Sequence, residues 1–445
     1  MGHAKHPPRA DEVRSFLRDR SGALRQTLSD LIRARTVNPP GDEHLAAKIL
    51  AQFCDAEGIP FETFEKAPGR TNVVARVGRG RPRIAVPLHF DVVPAGDGWE
   101  TDPFEPVVRG DRIIGRGAKD NKGPLAVMML AAKYLKTREA ELPGTLLLVG
   151  AADEEAGSAL GMRYLLEECG FEADAAIVPD AGHEMRRVLV GEKGVLFFKV
   201  VAEGRQAHGS SPQRGASALW PVVDFLNRIR EWRPLDHAPR REPLGRTRGS
   251  RRVGRTSDRP EGVEGRPASA KSDLFTPPTL NVGAIHAGTV PNMVPGRCEA
   301  LVDVRYLPGT DVESILAHLR GVLAETAGNA AGPVVRDSLY YRAGVRMRLE
   351  VLSDQAPSQV ATDHPLVKVI QRRTEEVTGE RPKVFGQSGA SVAKFLVLRG
   401  IPAVGFSCGP EGVEHMANEW TSLEELGRFA EVMTLVVWDL MSERV

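Results

Sequence analysis

The strongest constraint on the fold is a set of short, unbroken apolar segments that end in, or just before, an acid or a histidine. Asn72–Val77, Arg83–His89 and Thr145–Ala152 are β-branched or leucine-rich and bounded by Gly, Pro or Arg, and Ala175–Val178 stops at Pro179-Asp180. Apolar runs without polar alternation belong to strands covered on both faces. Helical stretches near residues 122–137 and 159–169 separate them. This alternation predicts an α/β fold, with a mostly parallel central sheet flanked by helices. Ahead of it, Val13, Leu17, Leu24, Leu28, Leu31 and Ile32 recur at helical spacing. They predict an amphipathic helix over 10–35, followed by another over 43–58.

The texture changes at Gly194–Glu203 (GVLFFKVVAE). A helix near 215–232, strands near 279–285 and 298–306, a helix near 311–327 and a strand near 345–352 predict a smaller α+β domain. The α/β texture resumes with helices near 363–378 and 389–399 and a buried strand at Ile401–Phe406. The expected organisation is one domain, 1–192 plus 353–445, interrupted by another at 193–352. Residues 236–273 have almost no large apolar side chain and cannot bury enough surface to offset their chain entropy. They read as a flexible basic surface insertion, either a plain loop or a docking site for an acidic partner. Ser422-Leu423-Glu424-Glu425 reads as a capping box, with Ser422 accepting from a free N–H and Glu425 reaching back to the cap.

Composition narrows the function. Over 445 residues, 59 Lys plus Arg against 58 Asp plus Glu leave a net charge of +1. A nucleic-acid binder or a polybasic membrane protein would carry a basic excess. Cys54, Cys169, Cys298 and Cys408 form no CxxC pair, which speaks against a disulfide scaffold or cysteine zinc site and fits a reducing compartment. No apolar run reaches the ~18 residues of a membrane span. The opening MGHAKHPPRADEVRSFL has no signal-peptide apolar stretch, so a cytoplasmic setting is expected.

Five places carry potential chemistry. His89 and Asp91 close an apolar strand, and a carboxylate behind an imidazole is how a metal-bound histidine is oriented; a strand-end histidine bonded to a neighbouring acid has the same wording. GRGAKDNKGP, residues 115–124, presents Asp120 just before a helix, where Asp is also a good N-cap. Ala152-Asp153-Glu154-Glu155 follows the strand TLLLVGA. Adjacent carboxylates at that edge repel one another, and a cation would neutralise them; a solvated acidic loop reads alike. Asp180 ends a fourth strand, and His415 lies in GPEGVEHMANEW after a fifth. Each has an ordinary structural explanation taken singly. Together, two histidines and three carboxylates at the strand ends of one sheet suit a pair of zinc-like ions, with Glu154 beside a ligand.

With this ordered set (HxD, GRGxxDxKG, DEE, a strand-end acid and a late histidine) the chain resembles the two-zinc peptidases. That family includes acetylornithine deacetylase, succinyl-diaminopimelate desuccinylase, aminoacylase, carboxypeptidase G and carnosinase-type dipeptidases. The resemblance spans residue 10 to the end apart from 236–273. It implies that His89 and Asp180 bind one divalent ion and Glu155 and His415 the other, zinc with cobalt or manganese as alternatives. Asp120 would bridge them, Glu154 would be the general base, and Asp91 would orient His89. The inserted domain would be a lid that also dimerises, with His208 of GRQAHGSSP reaching the partner's active site. Asn292 and Arg305 would bind a substrate carboxylate, and Gly389 and Ser391 would form a backbone cradle for it. The implied activity is hydrolysis of the amide bond of a small N-acyl amino acid. Val392 after Ser391 departs from the deacylases' usual Asp, and Asp180 and Asn121-Lys122-Gly123-Pro124 are closer to dipeptidase wording; these departures keep a dipeptidase or carboxypeptidase activity open. A metal-binding scaffold without catalysis is the reading from outside the enzymes.

Overall fold

The computed structural model describes residues 7–230, 232, 274–329 and 344–443; the basic stretch 236–273 lies outside the described residues. The chain begins with α1 (Ala10–Arg18), α2 (Ser21–Arg33) and α3 (His44–Glu57). The single helix expected over 10–35 is therefore two. At the break Arg20 N–H bonds Leu17 O only three residues back, and Arg20 leaves helical backbone at φ −117°, ψ 14°. Its guanidinium folds over the Phe16 ring at 3.7 Å. Apolar spacing is blind to such a change of axis, because both stretches keep the same period.

There follow β1 (Phe61–Glu65), β2 (Thr71–Gly78), β3 (Arg83–His89), β4 (Val107–Arg109), β5 (Arg112–Ile114), α4 (Lys122–Thr137), β6 (Thr145–Ala151), α5 (Met162–Glu167), β7 (Ala175–Val178) and β8 (Arg187–Glu192). Next come β9 (Gly194–Glu203), α6 (Leu219–Arg230), β10 (Thr279–Ala287), β11 (Arg297–Tyr306), α7 (Val312–Asn329) and β12 (Arg346–Gln355). The last part holds β13 (Ser358–Gln359), α8 (Pro365–Thr378), β14 (Lys383–Gln387), α9 (Val392–Leu398), β15 (Ala403–Gly405), β16 (Trp420–Ser422) and α10 (Leu423–Ser442).

Two compact units result, Met1–Lys193 with Ser358–Val445, and Gly194–Pro357. The second crossing falls at Pro357–Ser358 rather than near 353 because β12 runs on to Gln355. In the larger unit the strand order is β1-β2-β6-β3-β7-β15-β8-β13, with β14 beside β8. The centre, β6-β3-β7-β15, is parallel throughout, so its strands end at one edge. Every residue of β6 is buried, as its unbroken apolar run requires. Helix α4, buried from Lys122 to Ala132, and α10, buried over most of its length, supply cover.

In the smaller unit the antiparallel sheet β10-β11-β9-β12 carries α6 and α7. Burial along β11 largely alternates, the mark of a sheet covered on one face. Phe198, Val302 and Val304 meet Phe225, Ile229, Ile315 and Leu319 in its core.

Candidate metal centre and active site

The parallel strands deliver their terminal residues to one edge. Register aligns His89, the last residue of β3, with Ala151, the last of β6. After β6 the backbone turns sharply at Asp153, which sits in the left-handed region at φ 64°. A non-glycine residue there needs outside support. Asp153 receives it from Arg70 Nη2 (2.9 Å) and the Leu160 N–H (3.0 Å), and Arg70 is itself forked onto buried Glu43. The turn presents Glu154 and Glu155. Asp91, fully buried, fixes them from below: its two oxygens accept the N–H groups of Glu154 (3.1 Å) and Glu155 (3.0 Å), and Asn38 adds a third bond at 2.8 Å.

The ligand atoms fall into two clusters that share one residue. His89, Asp120 and Asp180 each place an atom within 4.8 Å of the others, and so do Asp120, Glu155 and His415. His89 Nε2 is 3.0 Å from Asp120 Oδ1, and its Nδ1 is 3.4 Å from Asp91 Oδ1. His415 Nε2 lies 3.1 Å from Glu155 Oε2 and 3.5 Å from Asp120 Oδ2. Asp120 precedes α4, but Asn121, not Asp120, occupies the cap position and makes no side-chain cap bond. The Asp120 carboxylate instead faces both imidazoles.

The electrostatics describe a site short of positive charge. Burial, then neighbouring Asp180, pushes the Glu154 carboxyl well above its usual range. Burial, then Asp120, raises Asp180 in the same direction. Hydrogen bonds to Asp120 and Glu155 raise His415 to about 10. His89 is raised too, because its bonds to Asp120 and Asp91 outweigh a burial that works against its charge. Burial also opposes ionisation of Asp120, yet His415 and His89 hold it well below the carboxylate range. Carboxylates that force protons onto two imidazoles are a donor set that two cations would satisfy. Imidazole and carboxylate without thiolate suit divalent ions of the zinc kind.

Residues outside the expected set hold the site in shape. Buried Glu419 accepts the N–H groups of Lys119 (2.9 Å) and Asp120 (3.0 Å) on one oxygen. Its other oxygen takes Gly117 N–H (2.9 Å) and Arg116 Nη1 (2.8 Å). One side chain therefore wraps the loop that presents Asp120. Lys119 Nζ bonds Glu414 at 2.5 Å, linking that loop to the neighbour of His415, and His183 Nδ1 lies 3.1 Å from the same carboxylate oxygen. Nothing local marks Glu419 in the sequence, where Glu411, Glu414, Glu424 and Glu425 stand close by.

The remaining predicted residues are outside the two ligand clusters. His208 and Asn292 adjoin in the smaller unit, where the His208 segment bridges to Met293 and Asn292 O accepts Gly209 N–H at 2.7 Å. His208 is exposed, with Nδ1 2.8 Å from Ser210 Oγ. Arg305 pairs with Asp303 at 2.8 Å and lies over the Phe197 ring. Gly389 is exposed, but Ser391 is buried and caps α9. Its N–H (2.9 Å) and hydroxyl (2.7 Å) both bond Glu192 Oε1. Ser391, expected to help cradle a substrate carboxylate, thus bonds a carboxylate of this chain in the structure. Of the capping box at α10, Ser422 accepts Glu425 N–H as expected, whereas Glu425 bonds Gly409 N–H instead of reaching back.

Comparison with known proteins agrees with this geometry. The chain is 29% identical over 425 residues to an acetylornithine deacetylase of Myxococcus xanthus, covering 93% of this chain and 97% of that protein. It is 27% identical over 436 residues to an uncharacterized metallohydrolase of Methanocaldococcus jannaschii, covering 91% and 96%. A tripeptidase of Staphylococcus aureus has the same fold at a TM-score of 0.71, with 18% identity over 95% of this chain and 99% of that one. No helix among the described residues is long and apolar enough to cross a membrane. The model of peptidase family M20/M25/M40 matches residues 85–439; the chain belongs to that family and is a metal-dependent hydrolase of amide bonds.

Proposed function

We propose that the chain hydrolyses the amide bond of a small N-acyl amino acid, with acetyl and succinyl compounds as the first candidates. The observation that carries this reading is the pair of ligand clusters sharing Asp120, with Glu154 beside them. His89 and Asp180 would hold one ion, Glu155 and His415 the other, and Asp120 both; zinc is proposed, ahead of cobalt or manganese. Bound there, the ions would supply Lewis acidity and a water of lowered pKa.

Glu154 serves as general base, taking the proton of the attacking water and returning it to the leaving amine. Its carboxyl is raised when facing bare neighbours, and adjacent positive charge would favour the ionised form needed to accept a proton. Asp91 acts on both sides of the reaction centre, orienting His89 and fixing the backbone that carries Glu154 and Glu155. His208 of the partner subunit is proposed to donate to the developing oxyanion in a homodimer formed through the smaller, lid-like unit. Asn292 and Arg305 are proposed to meet the substrate carboxylate. The proposed setting is cytoplasmic, supported by four free cysteines.

The acetylornithine deacetylase relative favours the deacylase reading, and its test is a panel of acetyl- and succinyl-amino acids and dipeptides assayed with zinc, cobalt and manganese. Turnover of dipeptides alone, with a strict need for a free α-amine, replaces it by a dipeptidase. Glu154→Gln is expected to keep its metal and lose about 10²–10⁴-fold in kcat. An unchanged rate removes the general-base role.

A further inference from the structure

A cavity of about 560 Å³ opens where α1, α2, α4 and the start of α10 meet. It shares no residue with the metal centre, and its size is within the range of small-molecule sites. Leu17, Leu24, Leu130 and Leu423 line it. Two glycines keep it open. Gly22 lies in the first turn of α2 and Gly427 inside α10. Neither has a positive φ, and a Cβ added to either meets no heavy atom within 4 Å. Glycine inside a helix costs about 1 kcal/mol relative to alanine. No turn and no close backbone approach explains these two, and a side chain at either position would extend into open space at the cavity.

The rim is basic. Arg14 is neutralised by a two-pronged pair with Glu431, and the Asp111 oxygens are engaged by Ser422 Oγ and Glu424 N–H. Arg18, Arg25 and Arg428 also line the cavity, and among the described residues none has a hydrogen-bond or ion-pair partner for its guanidinium. Glu424 is the one lining acid left to set against them. The α2 N-terminus adds to this sign, since Arg20 makes no side-chain cap and the first turn carries no acid. Leucines beneath unpaired guanidinium groups complement a molecule with an apolar chain and an anionic head, and the planar fork of arginine matches a carboxylate.

We propose that this cavity binds a medium-chain aliphatic carboxylate, its chain on the leucines and its head among Arg18, Arg25 and Arg428. The inference stands apart from the amide-hydrolase reading. Its test is calorimetric titration of the metal-loaded full chain with octanoate, 1-octanol and acetate. Octanoate is expected to bind one per chain, with 1-octanol and acetate at least about tenfold weaker. Gly427→Trp should abolish octanoate binding while hydrolysis persists, and Gly22→Leu serves the same purpose if the tryptophan variant does not fold. Arg25→Glu with Arg428→Glu should weaken octanoate about tenfold and leave 1-octanol unchanged. No octanoate binding to the wild type at millimolar concentration overturns the proposal. So does binding that survives the glycine substitutions in folded protein, or 1-octanol binding as tightly as octanoate.

Discussion

Buried carboxylates occur in two settings in the larger unit. Glu192 and Glu419 lie among donors supplied by the chain. Ser391 N–H and Oγ and Gln387 Nε2 converge on one oxygen of Glu192, and three backbone N–H groups and Arg116 surround Glu419. By contrast, Asp120, just before α4, faces two imidazoles together with Asp180 after β7 and Glu155 after β6, with Glu154 alongside. The first arrangement is met by the chain's own donors, fully at Glu419 and at one oxygen of Glu192, whose other oxygen is buried without a hydrogen-bond partner among the described residues. The second concentrates like charge and becomes reasonable only with cations added. A buried acid therefore indicates function less by its burial than by which of its partners the chain leaves out.

Removing the shared ligand strikes the second setting hardest. Asp120→Ala deletes a side chain common to both clusters. Metal analysis is expected to show both ions lost together and hydrolysis reduced by at least about 10³-fold, as for loss of an activated water. Retention of one ion at full occupancy would show that Asp120 does not bridge.

Next in size is the loop that carries Asp120. Glu419→Ala leaves Arg116 and three backbone N–H groups without their acceptor. Breaking such a buried pair costs about 3–5 kcal/mol. Denaturant unfolding should register that loss, and metal affinity should fall with it, since the Asp120 N–H is one of the freed donors. A stability change without weakened metal binding would separate the loop from the site.

Glu192 tests the donor-satisfied setting. Burial raises its carboxyl from the ordinary 4.5 to about 7, against the bonds from Ser391 that favour ionisation. The folded chain thus holds this proton more tightly than the unfolded chain does. The stability it contributes is fully present below about pH 4.5 and is lost as pH rises through about 7. The shift corresponds to about 3 kcal/mol. Glu192→Gln keeps an acceptor for Ser391 but cannot ionise. Its stability relative to wild type should climb by up to about 3 kcal/mol between pH 5 and pH 8. Parallel pH profiles for the two proteins would mean that Glu192 does not titrate in this window.

How much of this the sequence disclosed follows the range of each interaction. The strand ends were legible because an unbroken apolar run marks a strand covered on both faces; His89, Glu155 and Asp180 stand at or just past such ends, Asp120 just before a helix, and His415 in the loop that follows the last buried run. The wrapping of the Asp120 loop by Glu419 was not, because the partners are about 300 residues apart and nothing local marks a carboxylate that caps another segment's backbone. The capture of Ser391 by Glu192 was hidden in the same way, across 199 residues. The break between α1 and α2 lay below the resolution of a periodic pattern. Local pattern marks which groups need a partner; a long-range partner is marked only when both ends carry a signal of their own.

The smallest effect is expected where a carboxylate interaction stands in water. At the start of α10 the Ser422 hydroxyl accepts Glu425 N–H at 3.0 Å, and Asp111 takes Ser422 Oγ and Glu424 N–H. The groups resemble those around Glu192, but they are exposed or only partly buried, so water replaces much of what is removed. Ser422→Ala should cost about 1 kcal/mol, the usual value of an N-cap, with metal content and turnover unchanged. Asp111 would still cap Glu424 N–H in that variant, which holds the loss to one donor. A cost approaching that of Glu419→Ala would mean that solvent does not substitute for the cap, and burial would no longer account for the difference between the two settings.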